Sequence, residues 1–304
     1  MKKEINIMVD YGLNDKVVLV TGTNNPQGIG AAIACAFAEQ GAKVALVYKK
    51  MDLPYDEKKA VGNSFDAYYK ALAGDCSKVE ETIKKLTKDY IIIESDISDE
   101  SAIPQIFDTI EDKLGTVNIL VNNAASYAEN DSIFSTNDST IKTIYSATVN
   151  GTILMTQEFV RRLTRNHELF SAERSLQEVL LNYGKYQKDM NTDIYGRIIN
   201  FSTDNAQRMA GELCYGSSKA AVEAMTRSIA MEVGRLGITV NAIAPGPTQT
   251  GWMNDELISS VLPEIPLGKI GLPQDIADAV LFLASNKASW LSGQVIKVSG
   301  AHGL

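Results

Sequence analysis

Short runs of apolar residues, rich in Val and Ile, alternate along the chain with longer stretches of helical periodicity. Seven runs predict β-strands, at Lys16–Thr21, Lys43–Tyr48, Tyr90–Ser95, Asn118–Asn122, Arg197–Ser202, Thr239–Ile243 and Gln294–Val298. They are almost continuously apolar, which is typical of strands that are covered on both faces. Helices are predicted between them, at Ile29–Gln40, Ser101–Lys113, Ile141–Arg162, Lys219–Arg235 and Pro273–Ala284.

This alternation predicts an α/β fold with a single doubly wound, Rossmann-type domain over residues 1–304. Its parallel sheet is expected to have about seven strands, with helices on both faces. Two segments are longer than the pattern needs. We interpret them as insertions, one near residues 51–88 and one near residues 163–195. The first has a break at Gly74-Asp75.

Charge and composition exclude several function classes. The net charge of −8 argues against a nucleic-acid-binding surface, which needs clustered Lys and Arg. The three cysteines are too scattered for a disulfide framework or a metal site. The chain begins without the apolar region of a secretion signal and lacks the ~18 apolar residues of a membrane span, so we expect a cytoplasmic protein without a membrane partner.

A glycine-rich turn follows the first predicted strand and opens the first helix. It contains Gly22, Asn24, Gly28, Ile29 and Gly30. Glycines in such a turn let backbone N–H groups approach a pyrophosphate, whose charge the helix dipole favours. The alternative is a tight turn without a ligand, but the strand–turn–helix setting favours dinucleotide binding.

The end of the second strand indicates which dinucleotide is bound. An NAD site places an acid there for the ribose 2′-OH, whereas the 2′-phosphate of NADP needs a basic group. Here the strand ends in Tyr48, Lys49 and Lys50 without an acid, which favours NADP(H) over NAD(H). Asp52 lies close enough in sequence to keep NAD(H) open, and the lysines can also be read as surface charges.

Tyr215 and Lys219 are spaced by one helical turn, so their side chains share a helix face. An ammonium beside a phenol is expected to lower the pKa of the phenol and to suit it to general acid–base catalysis. Ser202 ends the fifth predicted strand, at the carboxyl edge where open α/β sheets bind their ligands. The Tyr–Lys spacing alone is also compatible with an ordinary helix pair.

Together with other motifs, these residues resemble the short-chain dehydrogenase/reductase family from about Leu13 to the C-terminus. The matching pieces are Gly22 with Gly28-Ile29-Gly30, Asp96-Ile97, Asn122-Asn123-Ala124-Ala125, Val149-Asn150-Gly151, Ser202, Tyr215 with Lys219, Asn241–Gly246, and Gly293-Gln294.

The resemblance implies a role for each matching residue. Tyr215 would be the proton donor, Ser202 would hydrogen-bond the substrate carbonyl, and Lys219 would bind the nicotinamide ribose. Asn150 would hold a water molecule in the proton relay. The cofactor would further contact the positions that match the family around the groove, which are Asp96, Ile97, Asn122, Asn123, Ala124, Pro245, Gly246 and Thr248.

Departures from the family pattern narrow the choice of reaction type. Five residues separate Gly22 from Gly28, as in enoyl reductases, but only three separate Tyr215 from Lys219, where those enzymes have six. This favours the carbonyl-reducing branch. The region Pro245–Asp275 is most similar to 3-oxoacyl-acyl carrier protein reductases, enzymes of fatty acid metabolism.

We therefore predict an NADP(H)-dependent enzyme that interconverts a ketone and a secondary alcohol. The substrate would be a small carbonyl or alcohol compound, or an acyl thioester. The alternatives are an NAD(P)-dependent sugar or secondary-alcohol dehydrogenase and a catalytically silent nucleotide-binding regulator. The family also implies a homo-oligomer, either a dimer or a tetramer.

Two further expectations concern other residues. His167 and His302 are expected at the surface, and no metal is required. The apolar segment Gly251–Lys269 is expected to fold over the substrate as a flap, the alternative being a plain surface helix.

Overall fold

The computed structural model describes residues 9–128, 130–165 and 195–303. Seven parallel strands form one sheet in the order β3-β2-β1-β4-β5-β6-β7. They are β1 (Val17–Thr21), β2 (Lys43–Tyr48), β3 (Tyr90–Glu94), β4 (Ile119–Asn122), β5 (Gly196–Phe201), β6 (Ile238–Pro245) and β7 (Val295–Val298). The predicted α/β fold with a parallel sheet is confirmed.

The helices flank this sheet on both sides. In chain order they are α1 (Ile29–Glu39), α2 (Phe65–Ala73), α3 (Ser77–Leu86), α4 (Ala102–Leu114), α5 (Asp138–Tyr145), a π-helix (Ser146–Gly151), α6 (Thr152–Thr164), α7 (Leu213–Val233), α8 (Asp255–Val261) and α9 (Pro273–Ala284).

Each face of the sheet packs a separate apolar cluster. On one face, residues such as Val18 and Val44 pack with α1, α3 and α9. On the other, residues such as Leu19 and Val240 pack with α4, α6 and α7. Successive strand residues point to opposite faces, so burial on both sides requires the nearly continuous apolar runs of the sequence.

The central helices differ from the prediction. The helix expected over Ile141–Arg162 is interrupted by the π-helix between α5 and α6. Helix α7 begins at Leu213, six residues before the predicted start at Lys219, so Tyr215 lies inside its first turn.

The first insertion forms the two helices α2 and α3, which are separated at the predicted break, Gly74-Asp75. Ser64 caps α2 by accepting a hydrogen bond from the Ala67 N–H. The second insertion falls almost entirely on residues 166–194, outside the described residues, as does His167. Within the described chain, every helix is too short or too polar to cross a membrane.

Candidate active site

The turn after β1 forms a cradle at the point where the strand order reverses, between β1 and β4. Gly22 has a φ of +74°, and a Cβ on it would lie 3.0 Å from the Ala124 Cα. A Cβ on Gly30 would lie 2.2 Å from the Gly22 carbonyl oxygen, so both positions need glycine. Helix α1 starts at Ile29 without a side-chain cap or a first-turn acid. Its N–H groups therefore suit a dinucleotide pyrophosphate.

The two asparagines of this turn point their side chains at neighbouring segments. Asn24 Nδ2 donates to the carbonyl oxygens of Leu72, at 2.8 Å, and Gly74, at 3.0 Å. Asn25 Nδ2 donates to the Thr250 carbonyl oxygen at 3.0 Å. The amide nitrogen of Asn24 is thus committed to the end of α2, which leaves its side-chain oxygen and its backbone for the cofactor contact expected from the sequence.

Lys49 and Lys50, which are predicted to hold the 2′-phosphate, follow the end of β2, and each pairs with an acidic side chain. Lys49 Nζ lies 2.5 Å from Asp96 Oδ2, and Lys50 Nζ lies 3.0 Å from Glu94 Oε2. Tyr48 donates to the same Glu94 oxygen at 3.0 Å, and burial, together with this bond, raises the pKa of Tyr48 to about 12. The end of β2 itself carries no acid, but Glu94, at the end of β3, and Asp96, two residues later, lie beside its lysines.

The asparagines at the end of β4, Asn122 and Asn123, bond to neighbouring parts of the protein. Asn123 Nδ2 donates to the carbonyl oxygens of Thr21, at 2.8 Å, and Gly22, at 3.1 Å. Asn122, expected near the adenosine, is buried and donates at 2.9 Å to Asn200. These contacts fix the β1 and β4 loops to each other, and Ala124 completes the tie by donating its N–H to Thr21 Oγ1 at 3.0 Å.

A buried carboxylate starts the helix that carries Tyr215. Asp131 is 1% exposed, and its two oxygens accept the N–H groups of Cys214, at 2.7 Å, and Tyr215, at 2.8 Å. Its own carbonyl accepts the Leu213 N–H at 2.7 Å. Asp131 therefore fixes the first turn of α7. The sequence around Tyr215 does not indicate this cap, because it comes from a loop more than eighty residues earlier.

Three of the four predicted catalytic residues lie near the carboxyl edge of β5. The Lys219 ammonium lies 5.6 Å from the Tyr215 ring centroid and donates to the Phe201 carbonyl oxygen at 2.8 Å. Ser202 follows β5 directly, and its Oγ lies 3.4 Å from the Lys219 carbonyl oxygen. These contacts join Lys219 to the Tyr215 ring and to the end of β5, where Ser202 lies.

The pKa of Tyr215 shifts in the opposite direction from the sequence expectation. Burial raises it, and the negative charges that Tyr68, Glu212 and Asp204 carry when deprotonated raise it further. Burial lowers the pKa of Lys219 to about 8. Desolvation of the phenol therefore outweighs the attraction of the nearby ammonium.

Ser202 also contacts a carboxylate that the motif did not include. Ser202 Oγ donates to Glu223 Oε1 at 2.8 Å, and Gln207 Nε2 donates to Glu223 Oε2 at 3.3 Å. Glu223 is only 6% exposed. It lies one further helical turn after Lys219, a spacing that was visible in the sequence but carried no recognised chemistry.

Asn150, which was expected to hold the relay water, differs in burial from the nearby Thr148. The side chain of Asn150 is exposed, whereas Thr148, in the same π-helix, is 1% exposed. Its hydroxyl has no hydrogen-bond partner within the described residues. The π-helix packs against α7, the helix that carries Tyr215.

The segment after β6 and the C-terminal residues close the site. A Cβ on Gly246, which follows Pro245, would lie 2.6 Å from the Ser299 Cβ, and Thr248 donates to the Gly246 carbonyl oxygen at 2.9 Å. His302 Nδ1 lies 2.6 Å from Asp204 Oδ2, and its side chain is 13% exposed. The expectation that His302 lies at the surface is wrong, because it pairs with the loop after Ser202.

Two other predicted positions lie nearby. Ile97, expected to contact the cofactor, is 6% exposed, and its carbonyl oxygen faces the π-helix residue Gly151. In the segment expected to form a flap, Met253 is completely buried, whereas α8 has no buried residue.

Comparison with known proteins finds similar sequences along most of the chain. Residues 67–168 match the family described as short chain dehydrogenase, and residues 175–302 match the family described as enoyl-(acyl carrier protein) reductase. The uncharacterized oxidoreductase YjdA of Bacillus subtilis is 31% identical over 287 residues, covering 94% of this chain and 96% of that protein. NADPH-dependent aldehyde reductase 2, chloroplastic, of Arabidopsis thaliana is 32% identical over 297 residues, covering 95% and 94%.

A solved structure supports the fold independently. The 3-ketoacyl-(acyl-carrier-protein) reductase from Brucella melitensis, complexed with NADH, has a TM-score of 0.71 and is 24% identical. The similarity covers 96% of this chain and all of that one. At this identity it establishes that the two chains share the doubly wound architecture.

Proposed function

The chain belongs to the short-chain dehydrogenase/reductase family of oxidoreductases, and on that premise we propose that it interconverts a ketone and a secondary alcohol with NADP(H), using Tyr215 as the proton donor. The observation that carries this proposal is that Lys219 lies against the Tyr215 ring and against the carboxyl end of β5, which Ser202 follows, on the strand next to β4. When bound, the nicotinamide supplies or accepts the hydride, and the protein provides position and proton transfer.

Tyr215 holds its proton at neutral pH in this structure, because burial raises its pKa. In the reductive direction it would donate that proton to the oxygen of a ketone as this oxygen gains negative charge, and a neighbouring ammonium makes the donation easier. Lys219 remains largely charged below its pKa of about 8 and stabilises the resulting phenolate. Ser202 would hydrogen-bond the substrate oxygen after turning from Glu223.

Within this proposal, Thr148 rather than Asn150 contributes to the proton relay. Its buried hydroxyl has an unused hydrogen-bonding capacity next to α7, which a water molecule can satisfy. The exposed side chain of Asn150 is solvated instead.

NADP(H) remains the proposed cofactor because Lys49 and Lys50 are about half exposed at the end of β2. Exposed lysines can exchange a single carboxylate for a phosphate dianion at little cost. The Arabidopsis relative, which is described as NADPH-dependent, agrees with this choice.

The substrate proposed for the first test is a 3-oxoacyl thioester, on the similarity of Pro245–Asp275 to 3-oxoacyl reductases. The test is NADPH consumption with acetoacetyl thioesters, simple ketones and sugars, in the wild type and in Tyr215→Phe. We expect turnover of a ketone and a loss of at least about a hundredfold in the variant. Retained turnover in Tyr215→Phe would contradict the mechanism, and tight NADPH binding without turnover of any compound would instead indicate a regulator.

A further inference from the structure

Helix α2, which belongs to the first insertion, is attached at both ends to loops around the proposed dinucleotide site. At its C-terminal end, the Leu72 and Gly74 carbonyl oxygens accept hydrogen bonds at 2.8 and 3.0 Å from the amide of Asn24 in the glycine-rich turn. At its N-terminal end, the Ser64 N–H donates to the Gly251 carbonyl oxygen at 2.9 Å. The helix therefore connects the turn after β1 to the segment after β6.

The same two loops also contact each other directly. Asn25 Nδ2, in the turn, donates to the Thr250 carbonyl oxygen at 3.0 Å. A Cβ on Gly251 would lie 2.7 Å from Gln27 Oε1, so the Gln27 side chain lies against the backbone of the segment after β6. Both loops follow carboxyl ends of parallel strands, at the edge where doubly wound folds bind their ligands. A dinucleotide whose pyrophosphate reaches the start of α1 has to pass between them.

An aromatic pair strengthens the attachment at the N-terminal end of α2. The Phe65 ring lies 5.6 Å from the Trp252 ring, measured between centroids. Trp252 donates its indole N–H to the Thr248 carbonyl oxygen at 3.1 Å, which fixes its ring on the segment after β6. Phe65 is 51% exposed. Separation of this pair therefore exposes little further apolar surface.

The two ends of α2 differ in how firmly they are held. Asn24, at the C-terminal end, is 4% exposed and donates to two carbonyl oxygens, and the Leu72 carbonyl oxygen also accepts the Met51 N–H at 3.0 Å. The N-terminal end is held on the segment after β6 by a backbone hydrogen bond and a half-exposed ring pair. Of the nine residues of α2, Tyr69 alone is buried. Segments with few buried apolar contacts open at low free-energy cost, so the N-terminal end is the one that can move.

We propose that α2 is a strap that gates dinucleotide exchange and swings about its Asn24 end when the Phe65–Trp252 contact separates. The inference rests on the proposed binding of NADP(H) and adds how this cofactor enters and leaves. Because the strap has to open before the cofactor passes in either direction, its opening equilibrium limits association and release alike. Weakening the Phe65–Trp252 contact therefore raises both rate constants and leaves their ratio, the Kd, unchanged.

The test is stopped-flow fluorescence of NADPH association with the full-length protein, and of NADPH release into an excess of NADP⁺. Phe65→Ala is expected to raise both rate constants about fivefold, the equivalent of one aromatic pair, with the Kd within about twofold of the wild type. Phe65→Tyr keeps the ring and should retain the wild-type rate constants. Phe282→Ala removes a comparably exposed phenylalanine on α9 and should change neither rate constant.

The outcomes separate the strap from the proposed function. Unchanged rate constants in Phe65→Ala, or faster release alone with a weaker Kd, overturns the gating role and leaves the proposed cofactor standing. Absence of NADPH binding in the wild type overturns the proposed cofactor and the strap with it. Thermal unfolding shows whether Phe65→Ala is folded. If it is not, Phe65→Leu, which keeps an apolar side chain without a ring, carries the same expectation.

Discussion

The Ser202 hydroxyl oxygen lies 2.8 Å from Oε1 of Glu223, a buried carboxylate twenty-one positions later in the chain. Within 3.5 Å the hydroxyl also meets the carbonyl oxygens of Thr203 and Lys219. All three neighbours are acceptors, and a hydroxyl has one proton to donate. Ser202 therefore gives its proton to Glu223 unless a substrate oxygen competes for it.

Glu223→Gln is expected to strengthen ketone binding. The variant replaces a charged acceptor with a neutral one, which weakens the bond from Ser202 by about 1 kcal/mol and releases its proton more easily. The Kd of a ketone with the oxidised cofactor should fall about fivefold, whereas that of an alcohol with the reduced cofactor should not. Glu232→Gln, on the exposed side of α7, is the control. Equal changes in both constants would contradict the role of Glu223.

Lys49→Ala is expected to reduce the preference for NADPH. Removing an ammonium group from the end of β2 should raise the KM for NADPH about tenfold and leave that for NADH within about twofold. The difference in the KM for NADPH between wild type and variant should shrink at high salt, because exposed charges are screened. Lys84→Ala removes a comparably exposed, ion-paired lysine away from the groove and should change neither value. An equal effect on both cofactors would indicate that NADP(H) is not selected here.

Asp131→Asn is expected to lower both stability and activity. Asparagine keeps one acceptor but turns an amide donor towards the second N–H group of α7. Loss of such a cap costs about 1–2 kcal/mol in the free energy of unfolding. Because Tyr215 lies in the same turn, kcat should fall as well. Asp138→Asn, at the exposed start of α5, should change the stability by less and leave kcat unaltered.

The sheet could be predicted from the sequence because its strands are covered on both faces. A strand such as β2, buried along nearly its whole length, leaves a continuous apolar run with clear ends. The interruption of the helix over Ile141–Arg162 leaves no such mark. The π-helix changes the backbone hydrogen bonding without changing the residue types, and within it Thr148 is buried and Asn150 is exposed.

The candidate site could be predicted only where its residues share a motif. Tyr215 and Lys219 are one helical turn apart, so their proximity follows from helix geometry. Asp131 and His302 reach the site across long stretches of chain, and nothing in their local sequence indicates a partner. The direction of the Tyr215 pKa shift also depends on burial, which sequence spacing does not give.

Removal of the His302 side chain is expected to destabilise the fold. Asp204 is nearly buried, and His302→Ala would leave its carboxylate without this hydrogen bond, which costs about 2 kcal/mol. The double variant Asp204→Asn/His302→Ala removes the charge as well and should be less destabilised than His302→Ala alone. Denaturant unfolding measures both, and a double variant that is the least stable of the set would contradict the pairing.

Lys219→Met is expected to remove activity and yet stabilise the cofactor-free protein at pH 7. Burial lowers the pKa of Lys219 from 10.5 to about 8, which corresponds to a cost of about 3 kcal/mol for the buried charge. The lost hydrogen bond to the Phe201 carbonyl oxygen offsets about 1 kcal/mol of the gain. A net stabilisation of about 2 kcal/mol is therefore expected from denaturant unfolding.

The stabilisation expected for Lys219→Met should depend on pH. Between pH 8 and 10.5 the unfolded chain binds the Lys219 proton more strongly than the folded chain does, so the wild type gains stability as the pH rises. The advantage of Lys219→Met should accordingly be complete below pH 8 and disappear by about pH 10. Lys113→Met, at an exposed position of α4, should show no such trend. A variant that is less stable than the wild type at pH 7 would show that the folded site accommodates the ammonium without this cost.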